Sequence, residues 1–290
     1  MSVTYEYDMR NPKANLRPVF LAPHYDDVAL SCGGTVALLA ERGLRPVIIT
    51  CFGGEPPATL SAFARFQHQW RGLDDHNALA VRRQEERSAA TLLGAEPLWL
   101  GLPDAIYRGN HYQSDAELFG AIHPDEWSLL DELEQALMSL LGETGIQPAW
   151  YAVPLGIGNH VDHQLVRLLG QRLRAHGQVV WSYEDFPYVL LPGGEDQRHA
   201  LVTQYCEQTP WMIELSAEHL ERRIAAIACY ESQLAVIFRD LGDPAEAVKR
   251  AAQRVRQGQL IERLWLLRSR VKEHSEAIAH VPWLLSQPEH

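Results

Sequence analysis

Val19-Phe20-Leu21-Ala22-Pro23-His24-Tyr25-Asp26-Asp27 decides how this chain is read. Its four leading apolar residues show no alternation, the mark of a strand buried on both faces of a parallel sheet. A polar cluster follows, and Ala29–Arg42 then reads as a helix carrying Leu30, Val36, Ala37, Leu38 and Leu39. Gly43 ends that helix, because glycine takes the left-handed C-cap conformation without steric cost. The same order of strand, polar cluster and helix returns at Ala149–Val153, His160-Val161-Asp162-His163 and Asp162–Ala175.

Working outward, Arg45–Cys51 and Pro97–Leu100 read as further strands, with helices over Val81–Leu93 and Glu126–Leu141 and a fifth strand at Val179–Tyr183. This alternation predicts an α/β fold, a mostly parallel sheet flanked by helices on both faces. Two long segments, 53–80 and 102–125, interrupt it and are candidate lids over a site. The first carries Phe63, Phe66, Trp70 and Asp74-Asp75-His76-Asn77; the second carries Asp104, Tyr107, Arg108 and His111. From about residue 184 a loop-and-strand region leads into two helices, near Ala217–Leu234 and Pro244–Arg270. The organisation expected is one domain over 1–290, a core of about 18–185 with a helical C-terminal extension, 186–290, packed on it.

Composition narrows the partners. A formal net charge of -11 disfavours nucleic acid and anionic membrane surfaces. No apolar run approaches the roughly 18 residues of a membrane span, and Met1–Arg17 lacks the apolar centre of a secretory signal, so a cytoplasmic location is expected. The four cysteines have no CxxC spacing and read as reduced, mostly buried thiols, with Cys32 the one nearest the first cluster. A small molecule is the expected partner, and the C-terminal third offers a surface for a homo-oligomer.

Ligands of open parallel sheets bind beyond the carboxyl ends of the strands, where both polar clusters fall. Catalytic zinc takes three protein ligands and leaves a fourth position open. His24 and Asp27, three positions apart on one turn, and His163 from the second cluster match that set. Such a metal brings the pKa of bound water from about 16 toward 7. Asp26 stands beside the ligands and is free to act as general base. His160 could stabilise an oxyanion or protonate a leaving amine, with Asp162 holding its ring. Taken singly, each cluster also has a structural explanation, Asp27 as a helix cap and His160–His163 as a charged helix start.

Pro23-His24-Tyr25-Asp26-Asp27 with Ser31-Cys32-Gly33-Gly34 resembles the (A/P)HPDD signature of the LmbE-like, or PIG-L, zinc de-N-acetylases. His160-Val161-Asp162-His163 resembles that family's HxDH motif. Arg83-Gln84-Glu85-Glu86 with Ala90 and Leu93-Gly94 resembles its connecting helix, and Asp104 falls where the family has a substrate-contacting aspartate. The resemblance spans about residues 18–185. It implies a Rossmann-like sheet, metal ligation by His24, Asp27 and His163 (Zn2+, with Fe2+ as the alternative), Asp26 as base and His160 at the oxyanion. It also implies removal of an N-acetyl group from an amino sugar or sugar-containing metabolite by attack of zinc-bound water.

Tyr25 stands in place of the usual Pro, Val28 in place of a Glu, and Gly158 where some relatives have a Tyr, so a phenol would come from elsewhere, such as Tyr107. Tyr25, Arg83, Asp104 and Glu184 are the candidate substrate contacts. Arg83 has an ordinary alternative in an ion pair with Glu86, and Glu184-Asp185 in plain solvation. The competing functions are an amidase of non-sugar substrates, a catalytically silent metabolite binder, a non-haem iron oxygenase and a nucleotide-binding protein. The oxygenase conflicts with the strand–helix alternation. The nucleotide binder would use Gly33-Gly34 as its phosphate loop, yet no GxGxxG follows the first strand and two aspartates would repel a pyrophosphate.

Overall fold

The structure is a computed structural model describing residues 16–74 and 77–268. The stretch ahead of Leu16, the Asp75-His76 pair, and the last residues of the helix expected to reach Arg270 lie outside the described residues. Seven strands form one sheet: β1 (Leu16–Ala22), β2 (Val47–Thr50), β3 (Glu96–Trp99), β4 (Gln147–Pro154), β5 (Val180–Tyr183), β6 (Trp211–Glu214) and β7 (Ile261–Leu266). Their order is β3-β2-β1-β4-β5-β7-β6. The first five pair in parallel, while β7 runs antiparallel to both β5 and β6.

The strand β1 is central, with Val19 opposite Val47 on one side and Tyr151 on the other. Residues Val19–Ala22 are fully buried, and alternate side chains enter different cores. Val19 and Leu21 pack among Ile49, Val153 and Leu165, under α5 (Leu129–Thr144) and α6 (Val161–Ala175). Phe20 and Ala22 pack among Val36, Ile48 and Trp150. That second face is covered by α1 (Asp27–Glu41), α3 (Ala78–Leu93) and α8 (Ala217–Ala228).

Several expected elements changed character. The segment 53–80 holds a helix, α2 (Ala62–Trp70), and 102–125 holds a short one, α4 (Asp115–Leu118). A helix, α7 (Gly194–Tyr205), occupies the stretch expected as loop and strand, and the helix expected over Ala217–Leu234 breaks between α8 and α9 (Glu231–Ile237). The helix expected to run from Pro244 stops at Gln253 as α10 (Pro244–Gln253), and β7 follows. Gly258, at φ +79, turns the chain between them. Leu260, Ile261, Leu264 and Leu267 fit helical spacing as well as a buried strand, and a short apolar run cannot separate the two. The free edge of β5 settles it, so the C-terminal extension is mixed rather than helical.

One break has been repaired in a way that ties this extension to the core. Helix α1 kinks at Cys32, which has φ -145 and ψ 27. A kink orphans backbone groups. The buried Glu262 carboxylate of β7 takes the N–H groups of Gly34 (3.1 Å) and Thr35 (2.7 Å) and the Thr35 hydroxyl (2.6 Å). Arg223 of α8 donates to the Leu30 carbonyl and pairs with Glu262 at 3.0 Å. A Cβ on Gly34 would lie 2.4 Å from Leu215 and 2.8 Å from the Glu262 carboxylate. Gly34 therefore faces an anion supplied by the protein itself and Gly33 faces the Arg223 side chain, which overturns the phosphate-loop reading. All four cysteines are free, and Cys32, Cys51 and Cys206 are buried.

Replacing one member of a buried pair leaves the other charge uncompensated, at a cost of about 3–5 kcal/mol. Glu262→Gln is thus expected to lower the urea midpoint strongly, and Glu262→Gln with Arg223→Met to recover part of the loss. A second expectation concerns Glu86 of α3, buried and hydrogen-bonded by Thr50 (2.5 Å) and Trp99. Burial lifts its carboxyl from 4.5 to about 8 against the pull of those bonds. Because the folded pKa is raised, its stabilisation is complete below 4.5 and is lost as pH rises toward 8. Glu86→Gln should flatten that slope in urea titrations across this window.

Candidate active site

The strand order reverses between β1 and β4, since β2 and β3 lie beyond one and β5 beyond the other. A crevice opens at the carboxyl ends of two such neighbours. Residues Pro23–Asp26 leave β1 there, and Leu155–His160 leave β4 beside them. The second loop turns tightly, with positive φ at Gly156, Gly158 and Asn159. Its Gly156 and Ile157 N–H groups donate to Asp185 Oδ2 at 2.8 and 2.9 Å, fixing the loop to the residue pair behind β5.

Both clusters meet in this crevice, and each imidazole next to Asp27 is held from behind by a buried carboxylate. His163 donates through Nδ1 to Asp185 (2.7 Å) and turns Nε2 to Asp27 Oδ1 (3.4 Å). His24 donates through Nε2 to Asp162 (2.9 Å) and turns Nδ1 to Asp27 Oδ2 (3.3 Å). Asp27, in the first turn of α1, is itself fastened by the His24 N–H at 2.7 Å. Asp162 accepts the Ala105 N–H (3.1 Å) and pairs with Arg108 (2.7 Å).

The electrostatics follow from burial and these contacts. Burial by itself would raise the Asp27 carboxyl, but His163 and His24 hold it well below the usual range. Burial would likewise lower His24, yet Asp104, Asp162 and Asp27 together push it well above its ordinary value. For His163 the same contest between burial and Asp27 with Asp185 also ends upward. His160 goes the other way: burial and then the neighbouring His24 depress it well below 6.5. Its Nδ1 accepts the Asp162 N–H (3.2 Å), so the neutral ring carries its proton on Nε2.

Two imidazoles pushed toward their cationic form around one carboxylate make a place for a cation. His24, Asp27 and His163 offer donor atoms within 4.8 Å of one another, as do His24, His160 and Asp162. The first set fits a tetrahedral ion better. Its facing nitrogens stand 3.3 and 3.4 Å from Asp27, near the ~3.3 Å that metal–ligand bonds of about 2.0–2.1 Å would set. Asp162 is instead committed to His24, Arg108 and a backbone N–H. The carboxylate–imidazole arrangement behind both histidines is the usual second layer of a metal centre.

A cavity of about 320 Å³ opens in front of these groups, lined by Asp26, Arg82, Asp104, Tyr107, His160 and Tyr188 among others. Asp26 is buried and pairs with Arg82 at 3.2 Å. Asp104 does two things, capping Ile106 N–H (3.1 Å) and placing its other oxygen 3.7 Å from His24. Tyr25 lines the cavity, but its hydroxyl is given to the Gly53 carbonyl at 2.6 Å.

Three expectations are corrected here. Arg83 neither pairs with Glu86 nor lines the cavity; its guanidinium lies over Trp99 and reaches the Gly53 carbonyl, while Arg82, one residue earlier on α3, faces the site. Helical phase decides this, and the motif spacing did not distinguish the two arginines. Glu184 is buried under Arg254, Arg263 and the Trp265 indole, anchoring β7, and Asp185 on the opposite side of the chain reaches the site. Asp162 orients His24 with its carboxylate, and only its backbone N–H meets His160.

Sequence reasoning also missed Tyr188. Its ring stands 5.9 Å from that of His163 and fills the space a side chain at Gly158 would need. Tyr107, the phenol expected, bonds His68 at 2.5 Å.

The family model described as PIG-L, GlcNAc-PI de-N-acetylase, matches residues 19–173. A 2'-N-acetylparomamine deacetylase of Niallia circulans is 32% identical over 248 residues, 79% of this chain and 83% of that protein. One from Streptomyces fradiae is 32% identical over 174 residues, 59% of this chain and 57% of that protein. Among solved structures, the zinc-inhibited form of teicoplanin deacetylase Orf2 shares the fold with a TM-score of 0.74 at 22% identity, over 89% of this chain and 99% of that one.

Loss of the support behind a metal-binding imidazole typically costs 10–100-fold in affinity. Asp185→Asn is expected to weaken retention of a divalent ion by that factor, read by competition with a chromophoric chelator. Unchanged retention would show that the Asp185 carboxylate does not support metal binding through His163.

Proposed function

The chain belongs to the PIG-L family of de-N-acetylases, and from that premise we propose that it hydrolyses the N-acetyl group of an amino sugar within a small metabolite. The observation that carries the proposal is the convergence of His24, Asp27 and His163 on one point, with Asp26 and His160 at the wall of the same cavity.

His24, Asp27 and His163 hold a divalent ion, zinc by the family resemblance and with ferrous iron as the alternative. The donor set of two imidazoles and a carboxylate suits either. When bound, that ion supplies Lewis acidity and lowers the pKa of water toward 7. Asp26 takes the proton of the attacking water, kept in place by Arg82. The neutral His160 donates from Nε2 to the oxygen that becomes negative as the acetyl carbon turns tetrahedral. The proton on Asp26 then passes to the leaving nitrogen, and with the second proton of the water ending on the same nitrogen, water and amide become acetate and an ammonium group. Burial of Asp26, His160 and His163 keeps bulk water from competing for these hydrogen bonds.

The relatives named for 2'-N-acetylparomamine suggest an aminocyclitol glycoside as the substrate. Asp104 and Asp115 on the cavity wall offer acceptors for the hydroxyl and ammonium groups of such a molecule. The acidic balance of the whole chain favours a cationic product in the same sense.

The test is amine release from a panel holding N-acetylglucosamine, 2'-N-acetylparomamine and a non-sugar acetamide. Chelation should abolish release and added zinc restore it. Asp26→Asn should lose about 10²–10⁴-fold in kcat while retaining its metal. Near-normal turnover in Asp26→Asn would sink the base assignment, and release from the acetamide alone would sink the sugar.

A further inference from the structure

The segment between β3 and α5 carries a second group of metal-binding side chains, outside the crevice. His111, His123 and Asp125 offer donor atoms within 4.8 Å of one another. The two imidazoles stack at 3.9 Å between centroids and 7° between planes. Asp125 Oδ2 lies 3.9 Å from His111 Nε2 and 3.7 Å from His123 Nδ1.

His111 is prepared from behind in the same manner as His24 and His163. Its Nδ1 meets Glu126 Oε1 at 3.1 Å. Glu126 is 5% exposed and is held by Arg108 Nε (2.8 Å), Arg108 Nη2 (3.1 Å) and the Tyr112 hydroxyl (2.8 Å). A rigid buried carboxylate thus fixes the ring and leaves Nε2 directed at Asp125. This arrangement raises the basicity of a ligating nitrogen and sets its tautomer.

We propose that His111, His123 and Asp125 form a second binding site for a divalent transition-metal ion. Two imidazoles and one carboxylate select zinc, nickel or copper over magnesium and calcium, which prefer all-oxygen ligands. Closing on one ion requires donor separations of ~3.3 Å. Asp125 closes from 3.7 and 3.9 Å while the His123 ring rotates, and both side chains have the room for it, being 76% and 37% exposed. An ion lies in the plane of each ring it binds, so His123 must turn out of its stack on His111 and give up the 3.3 Å contact from Asp125 N–H to its Nδ1. His111 remains on Glu126, and Arg108 joins that carboxylate to Asp162 of the crevice.

The experiment is zinc uptake by holoenzyme already carrying one equivalent, measured by equilibrium dialysis with elemental analysis. Wild type, His123→Ala, Asp125→Asn and His163→Ala are run together. The wild type is expected to take up one further zinc. His123→Ala and Asp125→Asn should bind that ion at least tenfold more weakly while turning over normally with the first equivalent. His163→Ala should keep the second ion whatever becomes of the first, which separates this site from the crevice. The proposal is overturned if wild type takes up no further zinc, or if His123→Ala and Asp125→Asn take up as much as wild type.

Discussion

Four carboxylates, those of Asp26, Asp27, Asp162 and Asp185, are buried at one edge of one sheet, and the site depends on how their charge is met. A carboxylate taken out of water is costly unless it is paired or hydrogen-bonded. Arg82 meets Asp26 at the cavity wall, and Arg108 meets Asp162 behind it. Asp27 has only imidazoles, at 3.3 and 3.4 Å, and the result is an upward push on His24 and His163. A divalent ion bound between them would answer the same demand without protonating either ring. Structural and chemical needs coincide there.

The C-terminal third is more than a covering layer. Asp27 opens α1, and that helix breaks one turn later at Cys32. Glu262 and Arg223, from β7 and α8, take up the backbone groups the break exposes. Glu184, from the chain just behind β5, is consumed in holding Arg254, Arg263 and Trp265. Residues far apart in the sequence thereby hold the broken helix that Asp27 opens. The family model ends at residue 173, and these supports come from beyond it.

Most strands and helices of the first 185 residues were legible because their patterns are strong. An uninterrupted apolar run such as Val19–Ala22 has few alternatives, and Gly94 stops its helix in the left-handed conformation, with φ +74. Legibility failed after that. The stretch around Ile261 fits helix and strand equally until β5 offers an edge, and α7 has apolar residues too sparse for periodicity to show, whereas Phe63, Phe66 and Trp70 of α2 do stand at helical spacing in a segment read as a loop. In the site, motif spacing singled out His24, Asp26, Asp27, His160 and His163. It could not choose Arg82 over Arg83, or Asp185 over Glu184, because those choices turn on which way a side chain leaves its helix or strand.

The sequence by itself determined the alternating α/β class, the two polar clusters behind buried strands, and a donor set of two imidazoles and a carboxylate. Those are local properties, set by hydrophobic period, turn chemistry and residue type within a few positions. Tertiary structure alone decided that β1 and β4 are neighbours at the point where strand order reverses, which is what brings the clusters together. It also decided that Asp162 supports His24, that Asp185 supports His163, and that the Tyr188 ring fills the space over Gly158. Such contacts join residues up to 138 positions apart. Only the packing of the whole sheet, with the burial that makes each unpaired charge costly, selects one partner among many of the same type.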